Sequence, residues 1–257
     1  MRLLMVRHGD PDYEHDSLTE TGKKEAALLA EIADDLELGE CFVSPLGRAQ
    51  ETAQYTLNRL NCTARTLDWL QEFPAKLDIN SSQELRHAYP NTRMKEGRYL
   101  PRIVWDMMPS YYLAHPEYAE REGWRSSEVA AHSDIVQVYD YVTESLDRLL
   151  AGHGYIREGM HYRVEKANTD TITFFCHFGL ICVLLSHLMN VSPFALWHGL
   201  VLAPTSVTEI ITEEREQGIA MFRGQRLGDI HHLLAGGRKA SFSARFCETY
   251  DNREQRH

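Results

Sequence analysis

The sequence predicts an α/β fold: a three-layer α/β/α sandwich with a mostly parallel open sheet and an inserted cap region. Short apolar runs alternate with stretches of helical spacing, the pattern of parallel strands joined by helices. The runs are too apolar for a sheet with one wet face, so both faces are expected to be covered. The alternation breaks once, over residues 74–132, where prolines and aromatics crowd without a clear period.

Residues 2–6 (RLLMV) form the first run, ending at Arg7-His8-Gly9. Residues 17–36 follow as a helix with Ala26, Leu29, Ala30 and Ala33 at helical spacing; Thr19 is the candidate cap and Gly22 a weak point. Residues 41–43 (CFV) are a second strand, closed by Ser44-Pro45, and a helix over 46–60 starts just after the proline. Residues 64–70 read as a third strand. The stretch 74–132 holds Pro74, Pro90, Pro101, Pro109 and Pro116 with Tyr89, Tyr99, Trp105, Tyr111, Tyr112, Tyr118 and Trp124, and reads as an insertion folding over one end of the sheet. A helix over 135–152 closes at Gly152. A strand spans 171–177, rich in β-branched and aromatic residues, and a helix covers 179–190. Residues 205–214 and 218–224 alternate as a terminal strand pair, and the tail over 236–257 is polar. The expectation is one domain carrying 74–132 as its cap.

The net charge of −10 argues against nucleic-acid and anionic-membrane partners, which need a basic face. An anionic ligand would therefore require positive charge gathered locally in one pocket. Cys41, Cys62, Cys176, Cys182 and Cys247 are odd in number and dispersed, which supports neither a disulfide framework nor a zinc knuckle. A reduced, cytoplasmic setting fits them. The N-terminus is too short for a signal segment, and the apolar stretch 174–189 is interrupted by His177 and His187, so no membrane span is expected. The oligomeric state stays open.

In an open parallel sheet, ligands bind at the carboxyl ends of the strands. Arg7-His8, Ser44 to Arg48, Glu72 and His177 all fall at such ends. A planar guanidinium suits phosphate oxygens, and Gly9 permits close backbone approach. A neutral imidazole attacks phosphorus if its other nitrogen donates to a nearby carbonyl. Arg48, in the first turn of its helix, adds its charge to that of the helix N-terminus.

On these residues the chain resembles the histidine phosphatase superfamily, the phosphoglycerate-mutase-like family. LLMVRHGDPDY and DSLTETGKKEA are similar to its opening strand, R-H-G signature and following helix, and SPLGRAQETA resembles its second motif. FCHFG is similar to the segment carrying its second histidine, and APTSVTEI and RLGDIHHL resemble its late strand and ending. The resemblance implies a phosphatase in which His8 becomes transiently phosphorylated, Arg7, Arg48 and His177 bind the phosphate, and Glu72 in LQEF is the proton donor. Asp78 and Glu84 are runner-up acids. Phe178 departs from the family, which more often has Gly after this His. No Asp follows His177, which argues against the acid-phosphatase branch. The Asn- and Trp-rich stretch of the mutases is missing after R-H-G, where Asp10, Tyr13 and His15 are only pocket-rim candidates.

In the insertion, Arg93, Lys95, Arg98 and Arg102 stand against Glu96 alone; they suit either a second anionic group on the substrate or a solvated loop. Its aromatics suit either stacking on a leaving group or a small core of their own. His231-His232 and the other histidines lack partners at ligand spacing, so neither a metal nor a cofactor is expected. The expected partner is a small phosphorylated substrate. Two alternatives stand beside the phosphomonoesterase: a mutase that passes the phosphoryl group to a second hydroxyl, and a catalytically silent binding protein of the same fold.

Overall fold

The structure, a computed structural model, describes residues 1–241 and 249–251. It is a mixed α/β fold whose main unit is built on one eight-stranded sheet. In chain order the strands are β1 (Arg2–Arg7), β2 (Glu40–Val43), β3 (Ala64–Thr66), β4 (Tyr155–Glu158), β5 (His161–Val164), β6 (Thr171–Cys176), β7 (Val207–Glu216) and β8 (Ile219–Asp229). Their spatial order is β4-β5-β8-β7-β1-β6-β2-β3. β1, β6, β2 and β3 are mutually parallel, whereas β7 runs against β1 and pairs with β8 as a long hairpin. Following the pairings outward to β5 and β4, six of the eight strands point one way and only β7 and β5 reverse, the mostly parallel sheet that the sequence predicts.

The all-apolar runs are explained by burial on both faces. Leu4, Val6, Val43 and Phe175 face a core shared with Leu29 and Leu36 and with Ala49, Ala53 and Leu57. Leu3, Met5, Phe42 and Phe174, their alternates along the same strands, are equally buried. Three helices supply the first of these cores: α1 (Glu20–Glu31), α2 (Ala33–Leu36) and α3 (Gly47–Leu60). Thr19 caps α1 as predicted, its hydroxyl accepting from Gly22 N–H at 3.1 Å. The expected 17–36 helix is divided at Ile32, whose N–H bonds back to Leu29 and Ala30 carbonyls in a tightened turn.

Gly22 has a different explanation from helix weakness. A Cβ on it would lie 2.2 Å from the Asp10 carbonyl oxygen, so only glycine lets α1 press against the loop that follows His8. Gly9 makes the reciprocal approach, with its missing Cβ 2.9 Å from Gly22 O. We predict that Gly22→Ala destabilises the protein by about 2–4 kcal/mol despite alanine's better helix propensity. Urea unfolding measures this directly, and a neutral or stabilising effect contradicts it.

Several elements differ from the sequence expectation. The third strand stops at Thr66, and Asp68–Leu70 form a 3₁₀ turn. That turn buries Trp69 and Leu70 together, whereas in a strand they would face opposite sides. The β4–β5 hairpin is not apparent in the sequence, because its residues are mostly polar and only Tyr155 and Tyr162 are fully buried. The terminal pair starts at Val207 and runs on to Asp229. Among the described residues, no helix is long and apolar enough to cross a membrane. The polar tail is described through Ser241; residues 242–248 and 252–257 lie outside the described residues.

The chain divides into two compact units. The first holds the sheet: Met1–Glu72, Gly152–Ile181 and the described residues from Val201 on. The second takes in Phe73–Ala151 and Cys182–Leu200. It therefore includes the predicted insertion and also most of α4 (Ile135–Gly152), the later part of α5 (Phe178–Met189) and α6 (Pro193–Gly199). Its aromatics form its own core. Tyr89, Tyr118 and Trp124 are fully buried. Tyr118 packs on Phe194 at 4.8 Å, and Trp197 meets Phe194, Trp105 and Phe73 at 5.0, 5.3 and 5.5 Å between ring centres. With no sheet of its own beyond two-residue ladders, this unit packs these rings together with buried aliphatic side chains such as Leu77, Leu85, Val104 and Leu146. Tyr89, Tyr118 and Trp124 are thereby core residues rather than stacking surfaces for a ligand.

Candidate active site

The five candidate residues Arg7, His8, Arg48, Glu72 and His177 all lie in the sheet-bearing unit. β1 ends at Arg7 and β6 at Cys176, and these parallel neighbours pair Arg7 with Cys176. His8 N–H donates to Cys176 O at 3.0 Å, which sets His8 beside His177. The two rings lie 5.0 Å apart at 56°. β2, the next parallel strand, delivers Ser44, and α3 follows with Arg48 in its first turn.

His8 is buried, and its Nδ1 lies 2.7 Å from Gly9 O. A carbonyl only accepts, so Nδ1 carries the proton and Nε2 keeps its lone pair. Burial drives the His8 imidazole well below the ordinary histidine range; the charge of Arg7 and then that of Arg48 act in the same direction, against the Gly9 hydrogen bond. His177 is lowered too, by burial first and then by His8, Arg48 and Arg7. Two neutral imidazoles therefore face two fixed positive charges.

His177 Nε2 lies 2.7 Å from the Ser44 hydroxyl, while His177 Nδ1 is buried with no hydrogen-bond partner among the described residues. If Ser44 donates to Nε2, the proton of His177 sits on Nδ1 and is available to an acceptor. Arg7 is anchored through Leu202 O, and Phe178 lies beneath its guanidinium at 5.8 Å. The departure at Phe178 thus places an apolar ring against a phosphate-binding candidate. Arg48 Nη1 bonds Asp16 Oδ1 at 2.5 Å, and Asp16 Oδ2 also accepts from Gly47 N–H at 2.6 Å. Tyr13 lies 5.4 Å from the Arg48 guanidinium.

Glu72 Oε1 accepts from Leu180 N–H at 3.1 Å, in the first turn of the helix that starts directly after His177. The runner-up acids are engaged locally in the other unit: Asp78 accepts from the Asn80 backbone at 2.9 Å, and Glu84 from the Tyr111 hydroxyl at 2.5 Å. Of the rim candidates, Asp10 accepts from the Thr19 hydroxyl at 2.6 Å and His15 pairs with Asp12 at 2.8 Å. Arg93, Lys95 and Arg98 are exposed around a two-residue ribbon, and Arg102 pairs with Asp106. Among the described residues, no three His, Cys, Asp or Glu side chains gather to hold a metal.

Sequence reasoning placed Ser44 at a strand end without its His177 partner, and missed Asp16 and Thr52 as contributors. Thr52 accepts from Gly9 N–H at 2.9 Å and donates to Arg48 O at 2.7 Å. Its place one turn after Arg48 on α3 was the available signal. Asp16, a loop residue at φ 48°, offered none.

The buried neutral imidazoles have a consequence for stability. Below pH 6.5 an unfolded chain protonates its histidines, whereas folded His8, His177 and His232 resist protonation, His232 down to about 4. The unfolded state then binds more protons, so stability falls as the pH drops through this window. Melting temperatures at pH 7, 6 and 5 should decrease in that order; a flat profile contradicts it.

Residues 3–102 match the family model described as histidine phosphatase superfamily (branch 1). The matched segment holds Arg7, His8, Arg48 and Glu72; His177 lies beyond it. Among curated proteins, none matches the chain by sequence. Solved structures do resemble it. A mycobacterial glucosyl-3-phosphoglycerate phosphatase in complex with VO3 superimposes with a TM-score of 0.55 at 20% identity, covering 88% of this chain and 98% of that one. An Entamoeba histolytica phosphoserine phosphatase in complex with 3-phosphoglyceric acid gives 0.54 at 15%, covering 90% and 98%. A structure titled mycobacterial hydrolase 1 gives 0.53 at 18%, covering 89% and 98%. At these identities the likeness establishes the fold.

Proposed function

Starting from a chain whose residues 3–102 match the model of the histidine phosphatase superfamily (branch 1), we propose that the protein is a phosphomonoesterase acting on a small phosphorylated metabolite through a phosphohistidine on His8. The observation that carries this reading is the Nδ1–H bond from His8 to Gly9, made beside Arg7, Arg48 and His177. It leaves Nε2 as a nucleophile in a positively charged, water-poor surrounding.

In the first step the Nε2 lone pair attacks phosphorus and the bond to the leaving oxygen breaks. Arg7, Arg48 and the Nδ1–H of His177 take the charge on the equatorial oxygens. Glu72, as a carboxylic acid, gives its proton to the leaving oxygen. In the second step water attacks the phosphohistidine while the Glu72 carboxylate takes its proton, and the electron pair returns to Nε2. The arginines supply the positive charge, so turnover is expected to persist in chelator. The names of the structural neighbours support a small phosphorylated substrate for this chain as well.

The experiment is hydrolysis of a series of aryl and alkyl phosphates with chelator present, together with trapping of an acid-labile, alkali-stable phosphoenzyme. Glu72→Gln should slow poor leaving groups by about 10²- to 10⁴-fold and activated aryl phosphates far less. Equal slowing of both removes Glu72 from the donor role. Transfer to an added hydroxyl in preference to water identifies a mutase instead.

A further inference from the structure

The segments APTSVTEI and RLGDIHHL contain a buried threonine and a buried histidine that the mechanism above does not use. Residues 202–206 grip the Arg7-His8 turn from the β7 side. Leu202 O accepts from the Arg7 guanidinium, Ser206 O accepts from Arg7 N–H at 3.1 Å, and Thr205 N–H donates to His8 O at 3.2 Å. The last contact matters because His8 C=O and Gly9 N–H belong to one peptide group. That peptide is held at its oxygen by Thr205 and at its nitrogen by the Thr52 hydroxyl, at 2.9 Å. Fixing this plane fixes where the Gly9 carbonyl begins, and that carbonyl sets the His8 tautomer.

Thr205 makes its contact from φ 58°, a left-handed conformation that a β-branched residue rarely adopts. Two side-chain bonds hold it there. Its hydroxyl lies 2.7 Å from Pro204 O and 2.9 Å from His232 Nε2. The carbonyl can only accept, so the single hydroxyl proton goes to Pro204 and His232 must donate from Nε2. His232 is buried in the short helix His231–Ala235, and burial pushes its imidazole down to about 4, leaving it neutral. Loss of that donor should let the strained threonine relax and weaken its N–H bond to His8 O.

We propose that His232 and Thr205 form a clamp that positions the His8–Gly9 peptide, and through it the attacking face of His8. Both are positioning residues for phosphoryl transfer. The catalytic part of this inference rests on the proposed phosphomonoesterase reading; the structural part does not.

The test pairs steady-state kinetics on an aryl phosphate with nitrogen-15 histidine NMR of the full chain. His232→Leu, which fills the volume and lacks the donor, should lower kcat by about tenfold or more with KM within about twofold. It should also move the His8 side-chain nitrogens from the Nδ1–H pattern toward a mixture of tautomers. His232→Gln, whose amide N–H reaches close to the imidazole Nε2–H, should restore both. A His232→Leu variant with wild-type kcat and unchanged His8 resonances overturns the clamp. So does His232→Gln performing no better than His232→Leu, because packing alone then explains the residue. Should His232→Leu fail to fold, Thr205→Val carries the test, since valine keeps the β-branched shape and its strain at φ 58° and removes only the hydroxyl link. Its kcat should fall likewise, and wild-type kcat in that variant overturns the proposal. A wild-type protein that releases no phosphate defeats the phosphomonoesterase reading, while the NMR comparison still decides the clamp.

Discussion

Replacing His8 by alanine should reduce phosphomonoester turnover by about 10⁵-fold or more and abolish phosphoenzyme formation, with the protein still folded. The size of the effect follows from the proposed role: if His8 Nε2 forms the bond to phosphorus, its loss removes the reaction path. Arg7, Arg48 and His177 would still bind the phosphate, so affinity for inorganic phosphate should persist. The folded state is expected to survive because strand pairing between β1 and β6 uses backbone groups that alanine retains. Rapid-quench phosphorylation, phosphate binding by calorimetry and thermal melting separate these outcomes. Wild-type turnover in a folded His8→Ala variant would falsify the nucleophile assignment.

Replacing Arg48 by alanine should cost on the order of 10³-fold in kcat/KM, and lysine should recover only part of that. In the proposed reaction Arg48 brings a planar fork to the phosphate from the first turn of α3, where Asp16 bonds its guanidinium. A lysine keeps the charge and loses the fork, so charge and geometry are read separately. Removal also takes away one of the charges that keep His8 and His177 neutral. The acidic limb of the kcat/KM profile should therefore move to higher pH in Arg48→Ala. An Arg48→Lys variant equal to wild type would show that only a point charge is required.

The parts of the molecule that were legible in the sequence share one property: their signal is local. LLMV within β1 and FFC within β6 are unbroken apolar runs because both sides of the sheet are covered. Arg7, His8, Arg48 and His177 stand just past the ends of such runs or in the helix that follows, and the structure brings them together. What was hidden depends on proximity between distant segments. Asp16 reaches Arg48 across 32 positions, and Ser44 reaches His177 across 133. The Thr205 conformation is invisible in PTSV, where the residue types suggest only the start of a strand. Gly22 read as a flaw because its cost in a helix is local, whereas its reason, the closeness of Asp10, is not.

β1 lies between β6 and β7, strands that begin at residues 171 and 207. On the ribosome, the first strand therefore waits for both neighbours while more than two hundred residues are made. Its apolar stretch LLMV must be kept from other partners over that interval, at translation rates of about 5–20 residues per second. The fold is thus expected to close late, with pairing of such long sequence separation. His8 acquires its environment only when β7 docks, so a nascent or truncated chain ending before residue 207 should carry no phosphatase activity.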